Sequence, residues 1–154
     1  MSYEATRVVP AGSLSKVYTS ADYTVGELVK DEAGNVYVFG KGVASCAAGS
    51  WVSLDEEAQA TLLAANAKGR VGVAMAALVA STYGFFQVYG KSTTAKALTD
   101  CADNADLYAT ATAGSVDDAV VAGDRVKGAW GRSAESGGVI TAELNYPMVD
   151  DIAD

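Results

Sequence analysis

The chain contains no histidine among its 154 residues. Histidine is the usual general base for an activated serine or cysteine and the commonest side-chain ligand of transition metals, because its unperturbed pKa lies near neutral. Its absence excludes the common hydrolase triads and most zinc sites. The groups that could still do chemistry are the carboxylates, two cysteines and one lysine–serine pair.

The lysine–serine pair, Lys91 and Ser92, follows Gly90 as at the end of a phosphate-binding loop. That motif requires a second glycine at the position of Phe85, and the nearby Gly84 is one residue out of register. The pair also lies between two strand-like patterns, whereas a phosphate-binding loop leads into a helix. We interpret it as part of an ordinary strand connection.

Carboxylates are the most numerous candidate groups. Asp100, Asp103 and Asp106 recur at every third position, and aspartates are paired at 117–118 and at 150–151. The first set lacks the alternating ligands, central glycine and closing glutamate of a calcium-binding loop. We therefore predict solvated loops, no metal site and no cofactor. A glycosidase needs only two carboxylates, which keeps that class open although no spacing singles out a pair.

The two cysteines, Cys46 and Cys101, could form one disulfide. A chain made in a reducing compartment usually keeps such residues as small buried hydrophobic side chains. The sequence leaves the pairing open and favours two free thiols.

The chain is acidic, with a formal net charge of -8. Such a surface repels the phosphates of nucleic acids and the anionic head groups of lipids. No run of about 18 apolar residues is present, and the first ten residues lack the basic and apolar regions of a signal peptide. We therefore expect no nucleic-acid partner, no membrane partner, and synthesis in the cytoplasm.

Short β-branched or aromatic runs separated by glycine and aspartate recur along the chain. Residues 27–30 and 36–40 flank the turn-forming sequence 31–35, as in a β-hairpin. Further strands are predicted at 51–54, 71–75, 84–90, 93–98, 107–112, 125–131 and 139–146, with a glycine pair at 137–138 in the last turn. About eight or nine short strands predict an all-β fold, a small β-barrel or β-sandwich.

Residues 54–68 are ambiguous. Ser53 and Glu56 have the spacing of a helix capping box, and Gly69 stands where a helix would end. The apolar run 60–64 fits a strand after an acidic turn equally well, because period alone does not distinguish short apolar runs. A short strand or a single helical turn is favoured here.

The chain divides into three predicted parts. Residues 1–21 have isolated apolar residues without a period, which indicates an extended N-terminal arm. Residues 22–149 form the β-rich domain, and residues 150–154 form an acidic tail. An arm with exposed backbone groups can add a strand to the sheet edge of a neighbouring chain.

Several short motifs resemble segments of tailed-bacteriophage head decoration proteins, also called capsid cement proteins. These motifs are the Gly-Lys-Gly-Val-Ala-Ser sequence at 40–45, Gly-Ser-Trp-Val at 49–52, Val-Gly-Val-Ala at 71–74, the aromatic run 83–91 and the segment 113–119. The resemblance covers roughly residues 27–149. It implies a β-barrel or sandwich that assembles with itself, often as a trimer, on the outer capsid surface, where it binds the major capsid protein.

A cement protein of this kind needs a rigid domain and repeated contacts, and it needs no reactive site. We therefore predict a virion structural protein without enzymatic activity; another virion part or a carbohydrate-binding module, such as a tail, fibre or head-surface adhesin, is the alternative. Aromatic residues in strands belong more often to the core than to contacts, although interfaces favour Trp and Tyr. The candidate capsid or oligomer contacts are Tyr3, Val8, Val9, Leu14, Val17, Tyr18, Trp51, Trp130 and Tyr146.

Overall fold

The structure, a computed structural model, describes residues 6–153. Within this range it contains eleven strands and one four-residue helix. The elements in chain order are β1 (Arg7–Val8), α1 (Ala11–Leu14), β2 (Leu28–Lys30), β3 (Val36–Lys41), β4 (Trp51–Leu54), β5 (Ala60–Leu62), β6 (Gly69–Ala74), β7 (Tyr83–Lys96), β8 (Asp106–Ala109), β9 (Val116–Asp117), β10 (Arg125–Gly131) and β11 (Val139–Val149). The prediction of an all-β fold is confirmed.

The strands form one large mixed sheet with the order β1-β2-β3-β7-β6-β11-β10-β8-β9. β4 lies off this path and pairs with β5 and β6, while β7 also pairs with β11. Only β1 and β2 run parallel; the other pairs between strands are antiparallel. The sheet is not closed into a barrel, so the barrel alternative does not describe this architecture.

The predicted hairpin is formed by β2 and β3, in which Leu28 pairs with Val38 and Lys30 with Val36. The Asp31 carboxylate holds the turn by accepting hydrogen bonds from the backbone N–H groups of Ala33 and Asn35. Aspartate at the start of a turn commonly makes such bonds, which is why the sequence indicated this hairpin clearly.

The longest strand, β7, replaces the two strands that were predicted at 84–90 and 93–98. Its first half pairs with β3 and β6, and its second half pairs with β11. Gly90 lies at the change of partner with a positive φ of 101°, where a Cβ would overlap the side chain of Asn35. Glycine therefore allows one strand to continue past a position that resembles a strand boundary in the sequence.

The central strands are buried on both faces. In β4, Trp51 packs in one core cluster with Leu107 and Ile140, while the next residue, Val52, packs in a second cluster with Phe86. Side chains alternate between the two faces of a strand, so neighbouring buried residues require a core on each side.

Residues 6–21 are not an extended arm in the structure. The backbone N–H of Val9 donates to the carbonyl oxygen of Lys30 at 2.8 Å, and Tyr18 bridges to Tyr83 in the domain. The side chains of Val9, Leu14 and Tyr18 are buried in a third core cluster of the same chain. Burial of these apolar groups accounts for the folding of this segment onto the domain.

Residues 54–68, which the sequence left ambiguous, contain a turn at 55–58 and then the short strand β5, and no helix. The Asp55 carboxylate accepts hydrogen bonds from the backbone N–H groups of Glu57 and Gln59, which closes the turn. β5 then pairs with β4, with Ser53 opposite Thr61. Strand pairing therefore prevails over the helix-capping pattern.

Candidate functional site

The residues that resembled reactive sites in the sequence lie in separate strands and loops of the structure. Lys91 and Ser92 lie inside β7, so they belong to a strand and not to a loop before a helix. Asp106 forms an ion pair with Arg125 at 3.0 Å, and Asp103 is exposed in the preceding loop. The pair therefore lies within one continuous strand and not in the connection between two strands that the sequence predicted.

Both cysteines are buried free thiols, as predicted, and they lie in different core clusters. Near Cys101, the carboxylates of Asp117 and Asp118 and the thiol sulfur all lie within 4.8 Å of one another. Burial, together with these two carboxylates, raises the pKa of the Cys101 thiol to about 11. The thiol therefore keeps its proton near neutral pH, where it is a poor nucleophile.

The hairpin turn provides a hollow lined by Asp31 and Glu32 together with Val9 and Pro10. Burial acts to raise the pKa of Asp31, but hydrogen bonds from Asn35, Tyr37 and the backbone lower it below its usual value. A glycosidase requires one carboxyl group whose pKa is raised, so that it can donate a proton near neutral pH. The lowered pKa of Asp31 therefore does not suit it to be the proton-donating acid of a glycosidase.

The predicted contact residues fall into three groups in the structure. Tyr3 lies outside the described residues. Val9, Leu14, Tyr18 and Trp51 are buried within their own chain, so they are not available as surface contacts in this conformation. Trp130 is half-buried beneath Arg132, whereas the exposed residues of the predicted set are Val8, Val17 and Tyr146.

Tyr146 lies next to a second exposed tyrosine, Tyr89. Their ring centroids are 5.4 Å apart and the ring planes are inclined by 33°. The two residues belong to β11 and β7, and Asn145 is the register partner of Tyr89. They mark the junction at which β11 leaves β7 and pairs with β6 through Met148 and Val149.

The backbone of Tyr146 adopts a φ of +47°, which is in the left-handed region. An aromatic residue in this region costs about 1–2 kcal/mol relative to ordinary strand geometry. Its side chain is nonetheless 53% exposed, so burial of the ring within the chain does not account for this strain. Strained residues of this kind concentrate at functional sites.

Beside Tyr146 is a small apolar hollow of about 140 Å³. Its remaining lining residues are Leu28, Val38, Arg70, Val71, Val88 and Pro147. Arg70 is exposed, and its guanidinium donates to the carbonyl oxygen of Asp55 at 2.9 Å. Within residues 6–153, Arg70 forms no ion pair. The hollow therefore combines apolar walls, an exposed aromatic ring and one unpaired cation.

This surface was only partly predictable. Tyr146 was singled out as a contact residue, whereas Tyr89, Leu28 and Arg70 were not. Tyr89 is 41% exposed although Gln87, two residues earlier in β7, is buried, so strand alternation alone does not predict its exposure. Nothing in the local sequence places Leu28 and Arg70 beside Tyr146, because they belong to three different strands.

Comparisons with protein-family models, with curated proteins and with solved structures found no match to this chain. In the described part of the chain, no helix has the length and apolar character needed to cross a membrane.

Proposed function

We propose that this chain is a structural virion protein that binds the outer surface of a phage capsid and stabilises the contacts between capsomers. In this role it has no enzymatic activity and is synthesised in the cytoplasm of the host bacterium. Its partners are the major capsid protein and other copies of itself, arranged as a homotrimer.

The observation that carries the proposal is the strained and exposed Tyr146 beside Tyr89. Contact with a partner would bury the exposed Tyr146 ring and so offset the cost of its left-handed backbone conformation. Tyr is enriched among the residues that contribute most to the binding energy of interfaces. Leu28 and Met148, which are 45% and 44% exposed, add apolar surface near the same junction. Contiguous apolar surface of this kind marks interaction sites.

The scaffold beneath this surface fits the proposal. β6 and the first half of β7 are buried on both faces, with Phe85 and Phe86 fully enclosed, so the surface rests on a rigid support. A capsid presents many identical sites, and weak contacts add through avidity when copies are linked. The acidic character of the chain keeps it soluble before assembly. The resemblance of its motifs to cement proteins supports the same assignment.

The test uses phage heads purified without the protein, to which the full chain is added before electron microscopy. The proposal expects new density at the capsomer junctions and a higher resistance of the heads to heat. Unchanged density at saturating protein would contradict it.

A variant pair tests the role of Tyr146. Tyr146→Gly removes the ring and relieves the left-handed strain, so the domain stays folded while binding to heads weakens. Ser81→Gly is the matched control, because Ser81 is exposed and also has a positive φ of 66°. If Tyr146→Gly and Ser81→Gly bound heads equally well, the surface around Tyr146 would not be the one that contacts the capsid.

A carbohydrate-binding role is the second candidate, and the side-by-side rings of Tyr89 and Tyr146 favour it. Exposed aromatic faces provide an apolar, electron-rich platform on which a sugar ring can lie. A glycan array with the isolated protein separates the two functions. Specific glycan binding that is lost in Tyr146→Gly, with no binding to heads, would favour an adhesin of the tail, fibre or head surface.

A further inference from the structure

We propose that a hollow on the outer face of β7 and β11, between Lys91 and Arg132, binds an acidic saccharide through its carboxylate. We call it the Lys91–Arg132 hollow, and it is lined by Gly90, Lys91, Arg132, Thr141, Ala142 and Glu143. This inference does not depend on binding to a capsid, and the site shares no lining residue with the apolar hollow beside Tyr146.

Strand pairing places charged residues of this hollow in one row. Lys91 in β7 is the register partner of Glu143 in β11, and Glu143 is also the register partner of Trp130 in β10. Side chains of directly paired residues lie on the same face of a sheet. Lys91 and Glu143 are exposed, so this face is the outer one. Arg132 follows β10 beside the row, where its backbone N–H donates to the carbonyl oxygen of Thr141 at 2.7 Å.

The guanidinium of Arg132 is held in place by its own chain. Its Nε donates to the Glu143 carboxylate at 2.7 Å, and its Nη1 donates to the side-chain oxygen of Asn104 at 3.2 Å. The guanidinium carbon also lies 5.9 Å from the centre of the Trp130 ring. The other guanidinium N–H groups donate to no residue in the described part of the chain. A side chain that is already ordered loses little entropy on binding, so these groups are preorganised donors for a carboxylate.

The hollow has an excess of positive charge. Glu143 is the only carboxylate in its lining, and it is paired with Arg132. Lys91 is exposed and forms no ion pair with any residue in the range 6–153. In the neighbouring strand β8, Asp106 is paired with Arg125. The ammonium group of Lys91 and the guanidinium of Arg132 therefore favour an anionic group placed between them.

The size and lining of the hollow suit a sugar. Its volume of about 510 Å³ is within the range of about 300–1,000 Å³ that is typical of small-molecule sites. Thr141 and Glu143 bring a hydroxyl and a carboxylate, which can form hydrogen bonds with sugar hydroxyls. The exposed Tyr89 precedes Gly90 and adds an aromatic face at the edge of the site. A saccharide can therefore use its hydroxyls as well as its carboxylate.

The charge of the whole chain limits how acidic the ligand can be. A formal net charge of -8 repels long polyanions such as nucleic acids. A saccharide with one carboxylate places its charge at the two cations and otherwise presents neutral hydroxyls. The inferred ligand is therefore a saccharide with a single uronic-acid unit.

The test titrates the full chain with the methyl glycosides of glucuronic acid and galacturonic acid, and binding is measured by calorimetry. Methyl glucoside and methyl galactoside are the neutral counterparts, and acetate supplies a carboxylate without a sugar. At least one acidic glycoside should bind, and both its neutral counterpart and acetate should bind about tenfold more weakly or less.

Variants of the exposed lysine locate the site. Lys91→Gln should weaken binding of the acidic glycoside by about tenfold, whereas Lys91→Arg, which keeps the positive charge, should retain it. Lys16→Gln is the matched control, because Lys16 is also exposed and has no ion pair among the described residues. It should bind like the unchanged chain. Circular dichroism verifies folding, and Lys91→Thr replaces Lys91→Gln if that variant is not folded.

The inference is overturned if neither acidic glycoside binds, if a neutral glycoside or acetate binds as tightly, or if Lys91→Gln binds like Lys16→Gln. Binding to heads is measured separately with the same proteins. A chain that binds the acidic glycoside but not heads contradicts the proposed function alone. A chain that binds heads but neither acidic glycoside contradicts only the saccharide site.

Discussion

The indole N–H of Trp51 donates a hydrogen bond to the backbone carbonyl oxygen of Lys96 at 3.0 Å, joining residues that are 45 positions apart. Trp51 is completely buried in β4, and Lys96 ends β7. The bond therefore connects β4, which lies off the main strand order, to the end of β7.

Replacing Trp51 with Phe should destabilise the domain by about 1–3 kcal/mol, because the carbonyl oxygen of Lys96 loses its buried partner. Trp51→Ala should cost about 3–5 kcal/mol, since it also leaves a cavity. Urea denaturation measures both values. Trp130→Phe is the control, and a cost for it equal to that of Trp51→Phe would show that the hydrogen bond contributes little.

Gly49→Ala should destabilise the domain by about 3 kcal/mol or more, because the new methyl group would overlap the carbonyl oxygen of Thr94 at a position with φ of +87°. Gly26 has a similar φ of +90° but open space around it. Gly26→Ala should therefore lower the free energy of unfolding only by the cost of the left-handed backbone conformation, about 1–2 kcal/mol. Thermal unfolding of both variants separates steric overlap from backbone strain, and equal losses would contradict the packing argument.

Asp31→Ala should lower the free energy of unfolding at pH 7 by about 1–3 kcal/mol, because the carboxylate accepts hydrogen bonds from Ala33, Asn35 and Tyr37. The pKa of Asp31 is lowered in the folded protein. Its stabilising contribution is therefore complete above the unfolded pKa of about 3.9 and is lost as the pH falls through the lower folded value.

The stability difference between the unchanged chain and Asp31→Ala should accordingly shrink in strong acid. Urea denaturation at a series of pH values provides the measurement. Tyr37→Phe, which removes one of the hydrogen bonds and keeps the carboxylate, should show a smaller loss at pH 7. A difference that stays constant into strong acid would show that ionised Asp31 is not the source of the stabilisation.

Asp117→Asn should raise the melting temperature at neutral pH. Burial, with the nearby Asp118 and Asp100, raises the pKa of Asp117 in the folded protein. The folded state then binds more protons than the unfolded state, so stability falls as the pH rises from the unfolded to the folded pKa. The amide has no charge to desolvate, and its oxygen can still accept the backbone hydrogen bond that Asp118 donates to Asp117.

The gain from Asp117→Asn should disappear in acid, where both states of the unchanged chain are protonated. Calorimetry at neutral and low pH tests this. Asp103→Asn makes the same change in net charge at an exposed position. An equal gain from Asp103→Asn would assign the effect to net charge and not to the site of Asp117.

The residues predicted as contacts differ in their burial. Tyr146 is exposed, whereas Leu14 and Trp51 belong to the core. A Trp in a short strand favours the core in general, but whether a particular ring is covered depends on distant segments. Leu14 resembled part of an unattached arm because its burial partners, including Phe39 and Phe85, lie far along the chain.

The sequence by itself determined the β-rich fold, the hairpin around Asp31 and the lack of histidine chemistry. Turn residues and strand patterns act locally along the chain, and the absence of histidine follows from composition alone. The tertiary structure alone decided that β7 is one continuous strand, that Cys101 lies beside Asp117 and Asp118, and that Leu28, Arg70 and Tyr146 share one hollow. These relationships arise from pairing between strands distant in sequence, and a pattern with a period of two residues does not specify which strands become neighbours.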